Sequence, residues 1–275
     1  MRSALYVPGN RPELFDKALC GPADVVLLDL EDAVPLGDKD SALAEVAAWL
    51  RTVTAAHPRI WVRVNSGAAA ERDLRAVALP AVAAICLAKA ESAEQVRTAD
   101  SILSAHEEAP GRIRICPLLE SAAAILAAAE IAAAPRVSRL QLGEADLCAD
   151  TGIDPGDRDG LLAVRTQVVL VSAAAGIDPP VGPAETDFRD LDALRVSTKA
   201  LARMGFRGRS CIHPAQVPIV NEVFTPTAAE LVRARDLVDR FEAANGGIVF
   251  DPEGRMVDLA VIRRARRLLA DTSAE

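Results

Sequence analysis

Eight short apolar runs alternate with helix-like stretches over residues 1–224, and this alternation limits the possible folds more than any other feature of the sequence. Runs such as Val25–Leu28 are apolar throughout, as parallel strands are when both faces of their sheet are covered. Eight strand–helix repeats predict an α/β domain of the TIM (β/α)8 barrel class. The predicted strands are Ala4–Val7, Asp24–Leu30, Ile60–Asn65, Ala83–Ala88, Ile113–Leu119, Arg139–Gly143, Pro180–Gly182 and Ser210–Ile212.

The stretches between these runs carry the apolar spacing that is typical of amphipathic helices. The seventh strand has the weakest pattern, because Pro179, Pro180 and Pro183 crowd it and proline cannot donate a ladder hydrogen bond. The predicted helices are Pro12–Leu19, Lys39–Ala55, Glu71–Ala78, Ala93–His106, Ser121–Ala133, Asp157–Ala175, Asp190–Met204 and Pro214–Val223.

The pattern changes after residue 224, so we predict a barrel domain over residues 1–224 and a C-terminal helical extension over residues 225–275. We expect the extension to pack on a neighbouring subunit and to reach across an active-site mouth. Its predicted elements are a helix capped by Thr227 that runs to about Asn245, a hairpin or loop with a Pro252-Glu253-Gly254 turn, and a basic helix from about Leu259 to Ala270.

Composition argues against several classes of function. The chain has 31 Lys and Arg against 39 Asp and Glu, a formal net charge of −8, which argues against nucleic acid as a partner. No uninterrupted apolar run reaches the roughly 18 residues of a membrane span. Five cysteines without a CxxC pair indicate buried thiols in a reducing compartment, and the N-terminus lacks a signal-peptide pattern. We therefore expect a cytoplasmic protein that acts on a small molecule.

Polar residues follow nearly every predicted strand. In barrels of this kind the chemistry lies at the C-terminal ends of the strands. Any single residue could be a helix cap or a buried ion pair, but the set indicates a polar pocket at that end of the barrel. The residues concerned are Gly9-Asn10-Arg11, Asp29-Leu30-Glu31-Asp32, Arg63-Val64-Asn65, Lys89-Ala90-Glu91, Glu120, Asp146 and His213.

Glu120 and Asp146 are the candidate metal ligands, since each follows a predicted strand. Two carboxylates without a histidine cluster suit a hard cation such as Mg²⁺, which takes one or two protein carboxylates and leaves room for substrate oxygens. Two alternatives stay open. Glu120 could simply begin a helix, where the helix dipole favours an acid. Glu144 could replace Asp146, because the two are separated by two positions and strand alternation cannot choose between them.

Arg63 is the candidate for holding a substrate carboxylate or stabilising an oxyanion, because a guanidinium is a permanent cation with several donors. The alternative is a structural salt bridge with Asp29, Glu31 or Asp32. Strand alternation would put Asp29 and Glu31 on one side, with Asp32 on the other side or in the turn. Three further polar residues at strand ends are interpreted as structural: Lys89, Glu91 and His213.

The motifs at these strand ends occur in the same order in the citrate lyase beta-subunit-like family, which belongs with the malyl-CoA and citramalyl-CoA lyases and the HpcH/HpaI aldolases. The resemblance covers essentially the whole chain. It implies a TIM barrel with a C-terminal extension, assembly as a homotrimer, and Mg²⁺ as the cofactor. The matching segments are Val7–Glu13, Leu28–Val34, Val62–Asn65, Lys89–Ser92, Leu119–Ala122, Leu142–Leu147 and Cys211–Val217.

The resemblance also implies roles for individual residues. Glu120 and Asp146 match the acids that bind Mg²⁺, and Arg63 matches the arginine that holds the keto-acid part of the substrate. Glu31 matches an acid beside the metal site and is a further catalytic candidate. Asp258 matches an aspartate that enters a neighbouring subunit's site as acid or base, and its position also suits a helix N-cap. The substrate-binding candidates are Arg63, Glu31, Gly143, Asn10 and Arg11.

The sequence departs from the family pattern at three places. Ala88 stands where members usually have proline, and Leu259-Ala260 stand where a proline commonly follows the C-terminal aspartate. Glu144-Ala145 precede Asp146, where many members carry an acid adjacent to the aspartate. None of these departures removes a candidate metal ligand.

The activity that the resemblance implies is that of a Mg²⁺-dependent carbon–carbon lyase. It would cleave or form a 3-hydroxyacyl-CoA thioester such as citramalyl-, malyl- or citryl-CoA. The products would be acetyl-CoA and a 2-keto acid of the oxaloacetate, pyruvate or glyoxylate type. The alternatives are a citrate lyase beta subunit acting on citryl-acyl-carrier protein in a complex, a barrel enzyme acting on phosphoenolpyruvate or a free keto acid without CoA, and a non-catalytic keto-acid-binding barrel.

Overall fold

The computed structural model describes residues 1–53, 57, 59–244, 249–250 and 254–273. The chain forms two compact units, and the first, Met1–Phe224, contains a closed barrel of eight parallel strands in chain order. The predicted TIM barrel is thus confirmed. Its strands are β1 Ser3–Pro8, β2 Val25–Asp29, β3 Ile60–Val64, β4 Ala84–Leu87, β5 Arg114–Leu119, β6 Gln141–Leu142, β7 Val181–Gly182 and β8 Gly208–Cys211.

The barrel closes where β8 pairs with β1, with Ala4 opposite Ser210. Every residue of β2, β3 and β4 is buried, which is why these strands read as continuous apolar runs in the sequence. Strands β6 and β7 have only two residues each, and the prolines around β7 fit its shortness.

Helices follow the strands, and they differ from the predictions mainly on either side of β6. The predicted helix Ser121–Ala133 is two short helices joined at Ala127. An additional helix, Glu144–Thr151, begins directly after β6 and ends at Gly152, whose φ of 75° is left-handed. The helices of this unit are α1 Phe15–Leu19, α2 Lys39–Thr52, α3 Ala68–Val77, α4 Ala93–His106, α5 Ala122–Leu126, α6 Ala128–Ala132, α7 Glu144–Thr151, α8 Arg158–Ala174, α9 Leu191–Met204 and α10 Gln216–Phe224.

Single-turn 3-10 helices, Pro12–Leu14 and Leu36–Asp38, precede α1 and α2. The predicted last residues of the second helix, 54 and 55, lie outside the described residues. No helix in the described part of the chain is long and apolar enough to cross a membrane.

Two apolar layers stabilise the barrel, one between strands and helices and one inside the barrel. Along each strand, alternate residues face the interior. Asp29 therefore follows Leu27 on the inner face of β2, and Arg63 follows Trp61 on the inner face of β3. The inner layer consists of Ala4, Val25, Leu27, Trp61, Ala84, Cys86, Cys116 and Leu118, with the charged residues beyond it at the strand ends.

The second unit, Thr225–Glu275, contains two helices and a two-stranded antiparallel sheet. A capping box between Thr227 and Glu230 begins the first helix, as the sequence predicted for Thr227. Phe241, Val257 and Ile262 form the small core of this unit. The predicted end near residue 245 and turn residues 252 and 253 lie outside the described residues. The elements are α11 Ala228–Ala243, β9 Val249–Phe250, β10 Met256–Val257 and α12 Leu259–Ser273.

Candidate active site

Arg63, near the C-terminal end of β3, is the centre of a buried ion-pair cluster. Its Nε donates to Oδ1 of Asp29 at 2.6 Å and its Nη2 donates to Oδ2 at 2.5 Å, which is a bidentate pair. Its Nη1 lies 2.9 Å from Oε2 of Glu31 and 3.2 Å from Oδ2 of Asp32. The structural salt bridge that we considered for Arg63 therefore exists, and it involves all three acids at once.

The expectation that Asp32 lies on the other side or in the turn is met by the turn, but from there its carboxylate reaches the same guanidinium as Asp29 and Glu31. Strand β2 ends at Asp29, so strand alternation does not extend to Glu31 and Asp32. The residues that follow form a turn in which the N–H groups of Glu31 and Ala33 donate to the Asp29 carboxylate, at 2.9 and 3.1 Å. This turn is what brings the three carboxylates to one guanidinium.

The turn is itself held by side chains from neighbouring elements. The Lys39 ammonium donates to the carbonyl oxygens of Leu30 and Glu31, at 2.8 and 2.5 Å. Asn65 Nδ2 donates to the same Leu30 carbonyl at 2.9 Å and to the buried Asp73 carboxylate at 2.7 Å. Lys39 and Asp73 lie on α2 and α3, away from the strand-end pattern, so the sequence did not reveal them as part of the site.

The charge on Arg63 is permanent in this setting. Burial acts to lower the pKa of Arg63, but the hydrogen-bonded Asp29 carboxylate outweighs burial and raises the pKa above its ordinary value.

The Tyr6 ring lies under the guanidinium, with the Arg63 Cζ 4.9 Å from the ring centroid. The Tyr6 hydroxyl accepts a 2.5 Å hydrogen bond from Gln141, and burial raises its pKa well above the usual value. Tyr6 was also not predicted, although it faces inward on β1.

Lys89 lies two residues beyond the end of β4 and contacts acids on both sides. Its ammonium pairs with the Glu31 carboxylate and lies 3.8 Å from Oδ1 of Asp32. Its backbone N–H donates to Oε1 of Glu120 at 2.7 Å. The ion pairs that the sequence suggested for Lys89 are present, and the backbone contact adds a link that a sequence cannot show. Glu91 accepts a hydrogen bond from Ser121 at 2.7 Å.

Glu120 follows β5 and is only 3% exposed. Burial raises the pKa of its carboxyl to about 8, the Lys89 N–H opposes the shift, and the charges of Glu31 and Asp146 add to it. The alternative that Glu120 simply begins a helix does not hold, because the next residue, Ser121, is the N-cap of α5.

Gly143 leaves the space that the Glu120 side chain occupies. A Cβ at Gly143 would lie 2.7 Å from the Glu120 Cβ and 2.9 Å from its Oε2, too close for any side chain. Glu144, the rival of Asp146, is held in a bidentate ion pair by Arg165, with distances of 2.6 and 2.7 Å. Of these two acids, Asp146, in the first turn of α7, is the one whose charge raises the pKa of Glu120. The geometry thus favours Asp146 over Glu144.

The charges at the strand ends fit a divalent cation. Among the described residues, the acids Asp29, Glu31, Asp32, Glu120 and Asp146 outnumber the cationic side chains beside them, which are Arg63, Lys89 and the Lys39 ammonium on the same turn. Within the described ranges there is no group of three or more His, Cys, Asp or Glu arranged to hold a metal. A pair of carboxylates nevertheless suits Mg²⁺, which usually keeps several non-protein oxygen ligands. Glu120 and Asp146 are the residues that would hold it.

Other predicted residues make contacts outside this cluster. Asn10 donates to Asp38 at 3.1 Å, and Arg11 donates to Glu13 at 2.5 Å. His213 stacks on Phe188 with ring centroids 4.7 Å apart. Asn10 and Arg11 follow the C-terminal end of β1, and their role in substrate binding stays a prediction.

Asp258 belongs to the second unit and is exposed. Its Oδ1 accepts hydrogen bonds from the N–H groups of Ala260 and Val261, at 2.9 and 3.0 Å, which is the geometry of a helix N-cap for α12. The capping role is therefore observed, whereas the acid/base role stays a prediction.

The fold and the site together define a TIM-barrel protein with an acidic site at its strand ends. The family model described as HpcH/HpaI aldolase/citrate lyase matches residues 2–214. The chain belongs to this family, as the resemblance indicated, and the proteins that give the family its name are lyases and aldolases.

Named relatives and solved structures agree with this assignment. The chain is 33% identical to an L-malyl-CoA/beta-methylmalyl-CoA lyase of Cereibacter sphaeroides, over 96% of this chain and 92% of that protein. It is 35% identical to a citrate lyase subunit beta-like protein of Mycobacterium tuberculosis, over 96% and 93% of the two chains. A crystal structure of CitE from M. tuberculosis in complex with magnesium, acetoacetate and coenzyme A is similar, with a TM-score of 0.81, 33% identity and coverage of 99% of this chain and 98% of that chain.

Proposed function

We propose that this chain is a Mg²⁺-dependent carbon–carbon lyase that cleaves or forms a 3-hydroxyacyl-CoA thioester, with acetyl-CoA and a 2-keto acid as the other partners of the reaction. The observation that carries the proposal is the pair of Glu120, which is buried, and Asp146, which is half-buried, beside the Arg63 cluster. The relatives support it, because one is named a malyl-CoA lyase and another was crystallised with magnesium, acetoacetate and coenzyme A.

In this mechanism some residues of the chain bind the metal or the substrate, and others transfer protons. Mg²⁺ held by Glu120 and Asp146 would supply Lewis-acid polarisation of substrate oxygens. Arg63, a permanent cation, holds the carboxylate of the keto-acid half. Glu31, which pairs with Arg63 and Lys89, is the candidate for proton transfer, and burial raises the pKa of its carboxyl above the ordinary value.

Asp258 is the candidate that completes the reaction in the cleavage direction. The substrate hydroxyl gives its proton to a base, for which Glu31 is the candidate; the carbon–carbon bond then breaks, the keto acid is released and the electron pair stays on the acetyl-thioester carbon. Asp258 gives its proton to that carbon, and in the condensation direction it takes the proton back. We propose that it does so from a neighbouring subunit of a homotrimer, and that Asn10, Arg11 and Gly143 line the substrate site. We also propose a cytoplasmic location.

The proposal is tested by measuring acetyl-CoA release from malyl-, citramalyl- and citryl-CoA, each with Mg²⁺ and with EDTA. We expect Mg²⁺-dependent cleavage of at least one thioester. Cleavage of none, with pyruvate still bound in calorimetry, would contradict the proposal. Citryl-acyl-carrier protein should be included, because one relative at 32% identity is a citrate lyase subunit beta of Leuconostoc mesenteroides. Cleavage of that substrate alone would establish the carrier-protein alternative.

A further inference from the structure

Lys89 has an unusual backbone conformation. Its φ is +50°, and among the described non-glycine residues only Lys89 and Arg136 have a positive φ. A residue with a Cβ rarely adopts this conformation, and where it does so the surrounding structure must stabilise it. Such residues concentrate at functional sites. Because Lys89 lies next to Glu120 and Glu31, its positive φ indicates a role in the candidate site.

The conformation directs the two polar groups of Lys89 to two different carboxylates. The backbone N–H donates to Oε1 of Glu120 at 2.7 Å. The ammonium group extends to Glu31 in the Arg63 cluster. The next N–H, that of Ala90, donates to the Leu118 carbonyl at 3.3 Å and attaches the loop to β5.

These contacts join the two halves of the candidate site. Glu120 belongs to the proposed metal pair, whereas Glu31 contacts the arginine proposed to hold the keto acid. The hydrogen bond from the Lys89 N–H restrains Oε1 of the buried Glu120 carboxylate and so limits the orientations that this carboxylate can adopt. The ammonium balances the charge of the Glu31 carboxylate, which also pairs with Arg63.

We propose that Lys89 is a positioning residue with two separable roles, resting on the function proposed above. Its backbone N–H, aimed by the positive φ, orients Glu120 for Mg²⁺. Its ammonium fixes the Glu31 carboxylate, which contacts Arg63, and in this way keeps Arg63 in position to bind the keto acid. The first role depends on the backbone conformation and not on the side-chain charge, and the second depends on the charge.

Substitutions at this one position separate the two roles. Lys89→Gly and Lys89→Val both remove the ammonium, but glycine accepts a positive φ and β-branched valine resists it. We expect Mg²⁺ affinity near the wild-type value for Lys89→Gly, and at least about tenfold weaker affinity for Lys89→Val, as for other groups that orient a metal ligand. Calorimetric titration of the folded protein with Mg²⁺ alone measures this without any turnover.

The ammonium role is measured with pyruvate as the probe, in the presence of saturating Mg²⁺. Lys89→Met keeps an unbranched side chain and removes the charge. We expect about tenfold weaker pyruvate binding with Mg²⁺ affinity unchanged, and recovery of most of the pyruvate affinity in Lys89→Arg. Thermal unfolding of each variant shows that the proteins are folded.

Equal Mg²⁺ affinities for the glycine and valine variants would overturn the backbone role. Unchanged pyruvate affinity in Lys89→Met would overturn the ammonium role. Either result, with Mg²⁺ bound by the wild-type chain, would leave the proposed lyase function standing. Absence of Mg²⁺ binding by the wild-type chain would instead overturn the proposed function together with this inference.

Discussion

Glu120 shows how strongly one residue can depend on its surroundings. Its carboxylate is buried, the charges of Glu31 and Asp146 oppose its ionisation, and its pKa is raised to about 8 as a result. A single N–H from Lys89 does not compensate for these effects. Without a cation the group therefore holds a proton at neutral pH, and a bound Mg²⁺ has to displace that proton.

This shift predicts a pH-dependent affinity for Mg²⁺. Because the metal and the proton compete for Glu120, affinity should rise with pH and level off above about pH 8. Calorimetric titrations from pH 6 to pH 9 measure the dependence, and proton release on binding should decrease over the same range. A flat affinity between pH 6.5 and 8.5 would contradict the assignment of Glu120 as a ligand.

The same group makes a metal-free protein less stable as the pH rises. The folded-state pKa of Glu120 exceeds that of an unfolded glutamate, about 4.3. The folded state therefore binds more protons between these two values, and the free energy of unfolding decreases as pH rises through that window. Urea unfolding with EDTA at several pH values should show this contribution. Saturating Mg²⁺ and the variant Glu120→Gln should each reduce it.

Secondary-structure elements were predicted well where burial dictates the sequence. Strands β2, β3 and β4 are buried at every residue, so their apolar runs mark them directly. Helix α7 was missed because it begins without a side-chain cap and directly follows a strand of two residues. The site was predicted as a set of strand ends. The sequence did not predict the turn after Asp29 or the positive φ of Lys89, because it does not specify backbone angles.

The close contact between β6 and β5 predicts the effect of a single methyl group. In Gly143→Ala the new Cβ would lie 2.7 Å from the Glu120 Cβ, so Glu120 must move. We expect a loss of about 1–3 kcal/mol of stability, as for other overpacked sites, and weaker Mg²⁺ binding. The matched control is Gly37→Ala, because no atom lies within 4 Å of its added Cβ. Normal Mg²⁺ affinity in Gly143→Ala would contradict the proposed position of the ligand.

Helix α12 allows the two roles of Asp258 to be measured separately. Asparagine can cap a helix as aspartate does, whereas alanine cannot. We expect Asp258→Asn to lower turnover about 10²–10⁴-fold with pyruvate and Mg²⁺ binding retained. Asp258→Ala should lose the same turnover and also about 0.5–2 kcal/mol of stability in the second unit. Turnover unchanged in Asp258→Asn would remove this residue from the mechanism.

At the scale of the whole molecule, the chain consists of a barrel unit and a smaller second unit, and the candidate residues are divided between them. Arg63, Glu120 and Asp146 lie in the first unit, and Asp258 lies in the second. The boundary after residue 224 coincides with the change in sequence pattern. The sequence could suggest this division because the strand–helix repeat ends there. It could not supply the oligomeric state, which depends on surfaces rather than on a repeat.

The proposed trimer predicts complementation between two inactive variants. In mixed oligomers, a barrel from Asp258→Asn can receive an intact Asp258 from a Glu120→Gln subunit. Random assembly of equal amounts gives intact sites in about a quarter of cases if each tail serves one neighbouring barrel. We therefore expect co-expressed variants to recover activity that neither has alone. No recovery in oligomers shown to be mixed would contradict action from a neighbouring subunit.

The most direct test of the central claim is a Mg²⁺ titration of EDTA-treated enzyme, in which thioester cleavage and calorimetric binding are measured on the same preparation. The activity should return with the same Mg²⁺ dependence as binding to the folded protein. Glu120→Gln should lose both, and Glu144→Gln, whose parent residue pairs with Arg165, should keep both. Full activity in EDTA, or in Glu120→Gln, would contradict the account.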